Sequence, residues 1–217
     1  MGPMIADKKF PVALFALAAA LAWTACSNGP KPMPAETKSA AEAGKEAPKP
    51  PEPVTAKTAF YEMYKPARAW AADLLPLSLA SGEIPSMKNE GGKAALWTAV
   101  FVSPSLREAR TFFYAVADQG DSIRRGVSAG GSQTWSGSTP QSRPFQTTGF
   151  VVNSDAAYQA ALAKAGPWVK SHPDKKVTFF LFSSAKFPQP VWLVLWGTNK
   201  AGFVVYVDAT TGLASLK

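Results

Sequence analysis

The chain has 217 residues, 47% hydrophobic and 12% aromatic, with a formal charge of +8. That is enough apolar material for a packed core, while a single cysteine and a single histidine exclude an internal disulfide and a Cys/His metal site. The positive charges are scattered, Arg124–Arg125 being the one tight pair, so nothing forms the basic stripe that nucleic-acid binding uses.

The N-terminal segment reads as an export signal. Lys8 and Lys9 precede VALFALAAALAW, an apolar run of about a dozen residues that is short for a bilayer span. The run ends at Thr24, Ala25 and Cys26, which resemble a bacterial lipobox. The resemblance implies that residues 1–25 are removed and that Cys26 is acylated and becomes the membrane anchor. With Ser27 following, it also implies retention at the outer membrane, facing the periplasm. Residues 26–57 change to Pro, Ala, Lys and Glu with no hydrophobic periodicity, a composition that cannot bury enough apolar surface to offset its ordering entropy. They read as an extended tether.

The remainder, residues 58–217, predicts an α+β fold of two helix-plus-antiparallel-meander units, 58–145 and 146–217. In the first, TAFYEMYKPARAWAADLLPL has Phe60, Tyr64, Ala67, Ala71 and Leu74 at helical spacing, with Pro66 predicting a break or kink unless the helix begins there. KAALWTAVFVSP and ARTFFYAVAD follow as strands, then the Gly/Ser-rich GVSAGGSQTWSGS as a strand edge and exposed loop.

In the second unit Asn153 or Ser154 caps a helix through DAAYQAALAKAGPWVKS, with Asp155 favourable near its N-terminal dipole. KKVTFFLFS, VWLVLW and GFVVYVDA then read as strands, the last two joined by the hairpin link GTNKAG. Laid side by side, the halves set Trp97 against Trp192 and Tyr114 against Tyr206, and predict an internal duplication.

Pro190, Val191 and Trp192, together with the run Gly202 to Gly212 (GFVVYVDATTG), resemble PepSY-like domains. The two-unit layout is similar to the β-lactamase inhibitory protein fold. These resemblances imply an exported, non-catalytic module associated with protease inhibition, sensing or binding in the envelope.

Little in the chain is built for catalysis. His172, in SHPD, fits a helix C-terminus before a proline stop. Asp118 and Asp121 lack the further acidic ligands of a calcium loop, and the glycine-rich segment has neither the lysine of a phosphate loop nor a nucleophile elbow. No cofactor and no metal are expected. Asp208, Thr211 and Gly212 read as a structural turn. The candidate binding surface is therefore aromatic and basic: Trp135, Trp196, Phe187, Arg124 and Arg125. The expected function is capture of a protein or peptide partner, with an accessory role in envelope assembly as the alternative. An enzyme would have to work through hydroxyls and scattered carboxylates alone.

Overall fold

The computed structural model describes residues 50–216 except Asp121. The segment read as an export signal, Cys26, and most of the segment read as a tether lie outside the described residues. Ordered structure begins before the end predicted for the tether: β1 is Val54–Thr55 and α1 is Ala56–Trp70. Ala56, Ala59, Phe60, Met63 and Ala67 form the buried stripe of α1 at three- and four-residue intervals. Pro66 lies inside the helix without ending it. It is exposed, and the packed Met63 and Ala67 on the opposite side hold the chain helical across the missing N–H.

The helical pattern read through to Leu77 is overturned in its last part. The chain leaves the helix after Trp70 and enters β2 (Leu75–Gly82), a strand that the apolar run DLLPL concealed. Pro76 fits there because a register irregularity between Pro76 and Ser78 relaxes the ladder beside it. Then follow β3 (Lys93–Ala94), β4 (Leu96–Ser103), β5 (Glu108–Ala115) and β6 (Gly126–Thr134). The second half supplies α2 (Ser154–Ser171), β7 (Val177–Phe182), β8 (Val191–Gly197), β9 (Gly202–Asp208) and β10 (Ala214–Leu216).

Apart from the β1–β3 pair, all strands join one antiparallel sheet in the order β10-β9-β8-β7-β2-β4-β5-β6. The sheet thus opens outwards from a central β2–β7 pair, with each half contributing a helix followed by four strands in consecutive order. Both helices cover the same face. Phe60 of α1 meets Phe101, Tyr158 of α2 meets Phe179 and Trp196, and all belong to one core with Trp97 and Trp192.

The two helix N-termini abut, and each helps satisfy the other. Ser154 Oγ accepts from Ala56 N (2.9 Å) and donates to Gly92 O (2.6 Å), while Asn153 Oδ1 accepts from both Lys57 N and Ser154 N. Orphan donors at a helix start need such partners, and here the partner is the start of the other helix. Gly92 makes the approach possible: its φ is 82°, and a Cβ would lie 2.4 Å from Asp155 Cα.

The tryptophans occupy matching places in the halves. Trp97 Nε1 donates to Val54 O (3.0 Å) and Trp192 Nε1 to Val152 O (2.9 Å), each carbonyl lying two residues before its helix. The tyrosines do not match. Trp97 pairs across the ladder with Tyr114, whereas Trp192 pairs with Val207, so Tyr114 faces the helices and Tyr206 faces away. One residue of register reverses a side chain's face, and loose alignment of two strand sequences cannot see that offset.

Candidate functional site

The tryptophan face of β8 is core. Trp192 is 0% and Trp196 2% exposed, both beneath the helices, so Trp196 drops out of the candidate surface. The physical reason is that both helices cover one face of a single sheet, and that face takes the largest side chains.

The other face carries no helix. Strand alternation and register place Thr98, Ala80, Phe180, Leu193 and Tyr206 in one row across five strands, with Val100, Ser78 and Phe182 in the next. The half from β4 inwards is small and hydroxylated, and the half from β7 outwards is aromatic. Phe180 is 37% exposed and stacks on Phe182 (5.2 Å). Phe187, from the β7–β8 connection, folds over Tyr206 (4.9 Å) and touches Phe182 (6.2 Å). The Lys186 ammonium lies 5.2 Å from the Phe187 ring and 5.8 Å from that of Tyr206. A cation held over aromatic rings at the rim of an apolar patch suits a partner offering apolar side chains and a carboxylate.

Arg124, Arg125 and Trp135 lie elsewhere, bracketing the free edge strand β6. Both arginines are exposed immediately before the strand, and Trp135, half-buried, follows it with its backbone N–H donated to Arg107 O (2.9 Å). Asp118 Oδ1 accepts from Arg125 N (2.7 Å), a turn contact; Asp121 is outside the described residues.

Asp208 closes the β9–β10 corner. Its Oδ1 accepts from Thr210 N and Thr211 N, both at 2.8 Å, while Gly212 has φ 80° and donates its N–H to Asp208 O. Burial pushes the carboxyl's pKa up, but the hydrogen bonds from Thr211 and Thr210 outweigh it and hold the group below the ordinary aspartate value. His172 is the C-cap residue of α2, its ring stacked on Trp168 at 4.1 Å.

Sequence reasoning missed a cavity of about 560 Å³ between the 83–90 loop and the end of α2. Trp196, Tyr158 and Val177 line it on the sheet and helix side, Ile84 and Met87 on the loop side. Its charged residues pair among themselves: Lys176 with Glu83 (2.6 Å), Lys175 with Asp174 (3.1 Å) and Lys88 with Glu90 (3.8 Å). Burial, then the Glu90 carboxylate, raises the Tyr158 pKa, so that hydroxyl remains a neutral hydrogen-bonding group. The cavity is assembled from segments nearly a hundred residues apart, and no local pattern marks it. Among the described residues no group of three or more His, Cys, Asp or Glu side chains is placed to hold a metal, and no helix is long and apolar enough to cross a membrane.

No protein-family model matches the chain, and no curated protein matches it. Among solved structures, a protein of Clostridium difficile 630 described as a "putative lipoprotein" is similar at 9% identity and a TM-score of 0.43, over 76% of this chain and 91% of that one.

Proposed function

We propose that the chain is a lipid-anchored cell-envelope protein, held at the outer membrane through Cys26, whose folded part is a tandem PepSY-like binding module. It takes a protein or peptide partner on the helix-free face of the sheet and catalyses no reaction. The observation that carries this reading is the aromatic half of that face: Phe180, Phe182, Phe187 and Tyr206 in mutual contact, with Lys186 over two of the rings. Exposed aromatic clusters with a basic neighbour have the composition of binding hot spots. The tandem reading draws support from the matched tryptophan hydrogen bonds and from the symmetric strand order around β2–β7.

Crosslinking capture from the native envelope, comparing wild type with Phe180→Ser/Phe187→Ser, tests the site. Loss of the captured partner with an unchanged circular dichroism spectrum is expected; equal capture by both proteins overturns the assignment of this face. Fatty-acid labelling of wild type and Cys26→Ala tests the anchor separately, label on the wild type alone being the expected result.

A further inference from the structure

We infer that the cavity between the 83–90 loop and the end of α2 binds a small uncharged molecule, an apolar ring body carrying a carbonyl oxygen, and that the Trp196 indole N–H donates to that oxygen. The site lies on the helix-covered side of the sheet, so the inference goes beyond the partner reading and does not rest on it.

The indole groups of the core differ in one respect. Trp97 and Trp192 donate Nε1 to backbone carbonyls, at 3.0 and 2.9 Å. Trp196 is 2% exposed, yet among the described residues its Nε1 has no hydrogen-bond partner. Nor is it sealed in: among the described residues, the unpaired side-chain polar atom cut off from solvent is Gln119 Oε1. The little area that Trp196 leaves uncovered therefore includes its N–H, and Trp196 lines the cavity. A deeply placed donor without a partner costs free energy until something pairs with it. An indole nitrogen donates and does not accept, so whatever completes it brings an acceptor.

The rest of the wall fixes the body and charge of the occupant. Ile84, Met87, Val169 and Val177 are apolar, and the Tyr158 ring stands 6.0 Å from that of Trp196, which suits a flat apolar body. The Tyr158 hydroxyl also has no partner among the described residues and offers a second polar contact. A volume of about 560 Å³ falls in the range of roughly 300–1,000 Å³ typical of small-molecule sites. At the rim each lysine is paired with a carboxylate, Lys176 with Glu83, Lys175 with Asp174 and Lys88 with Glu90, so the charges cancel. An ionic ligand would find no unpaired counter-charge there, which is why the occupant is uncharged. The loop wall is already in place without a ligand. Asn89 Nδ2 donates to Gly82 O (2.8 Å), its Oδ1 accepts from Ala95 N (3.2 Å), and Ile84 is buried.

The test titrates prodan, an uncharged naphthyl ketone whose emission moves to shorter wavelength away from water, into the whole chain carrying Cys26→Ala. Saturable binding is expected. Acetylnaphthalene should displace the probe at about one fifth of the concentration that ethylnaphthalene needs, since the two differ in the acceptor. Naphthoate, the same ring with a charge, should be weaker than acetylnaphthalene. The indole N–H resonance of Trp196 should move with acetylnaphthalene and not with ethylnaphthalene, a reading on the unaltered site that needs no variant to fold. Trp196→Phe should weaken prodan binding about fivefold and abolish the preference for acetylnaphthalene, whereas Phe180→Ser/Phe187→Ser should bind as the wild type does. Absence of saturable binding overturns the inference and leaves the cavity to water. Equal displacement by acetylnaphthalene and ethylnaphthalene overturns it too, as does tightest binding by naphthoate. Binding kept by Trp196→Phe but lost on Phe180→Ser/Phe187→Ser also overturns it, and assigns the probe to the aromatic face.

Discussion

Asp208 illustrates how a residue that looks chemical can serve geometry. Its carboxylate accepts two backbone N–H groups of the turn it begins, and Gly212 supplies the positive φ that lets the chain come back as β10. The folded pKa is depressed, so the stabilisation is complete above the ordinary aspartate value of 3.8 and is lost as pH falls through the lower folded value. Asp208→Ala is expected to lower stability near neutral pH by about 1 kcal/mol, discounted for partial exposure. The gap to wild type, measured by urea unfolding, should close in strong acid. Arg107 is a second residue-scale case: it has φ 55° in the turn between β4 and β5, among the described residues the non-glycine position with positive φ. Arg107→Gly should therefore raise the unfolding free energy by about 0.5–1 kcal/mol, read from the same urea curves. A decrease would mean that the arginine side chain contributes more than its backbone conformation costs.

At the level of elements, the junction of the two helix starts is the most demanding feature. Ser154 is fully buried and bonds at once to the first N–H of α1 and the carbonyl of Gly92. Ser154→Ala leaves both groups buried without that partner, and thermal unfolding should register a loss of about 2 kcal/mol. Gly92→Ala must move backbone, since its Cβ would sit 2.4 Å from Ser154 O, and should be the more damaging change. The matched tryptophans offer a further comparison. Trp97→Phe and Trp192→Phe each remove an indole N–H from a carbonyl just ahead of a helix. Their stability losses should agree to within about 1 kcal/mol if the two halves are built alike. A large disparity would count against the duplication.

At the scale of the whole molecule, the β2–β7 pair unites two half-sheets, so no outer strand can be reached without passing through one half. Hydrogen exchange is expected to be slowest in β2, β4, β7 and β8 and fastest in β6 and β10, since opening costs least where strands have a neighbour on one side. Faster exchange in β2 than in β6 would mean that the halves separate before they fray. The helix boundaries of α2, the hairpin between β8 and β9 and the strand character of β4, β5, β7, β8 and β9 were legible because each is signalled within a few residues: Asn153 before an Ala-rich periodic run, glycines around a polar link, β-branched and aromatic runs. β2 was not legible, because LLPLSLASG mixes the end of a helical pattern with a strand whose partners, β4 and β7, lie far along the chain. The candidate surface was legible only in part. Phe187 belongs to the aromatic patch, Arg124, Arg125 and Trp135 belong to an opposite edge, and Trp196 is core.

Local chemistry by itself determined that this protein has an α+β domain with antiparallel strands, because periodicity, capping and turn residues act over distances of a few residues. Which face of each strand is buried was decided by the tertiary structure. Trp192, Val194 and Trp196 alternate with Val191, Leu193 and Leu195 along β8, and both sets are apolar enough to be core. Only the placing of both helices on one side of a shared sheet buries the tryptophans, leaves Phe180 and Phe182 of β7 on the face of Phe187 and Tyr206, and exposes β6 as an edge.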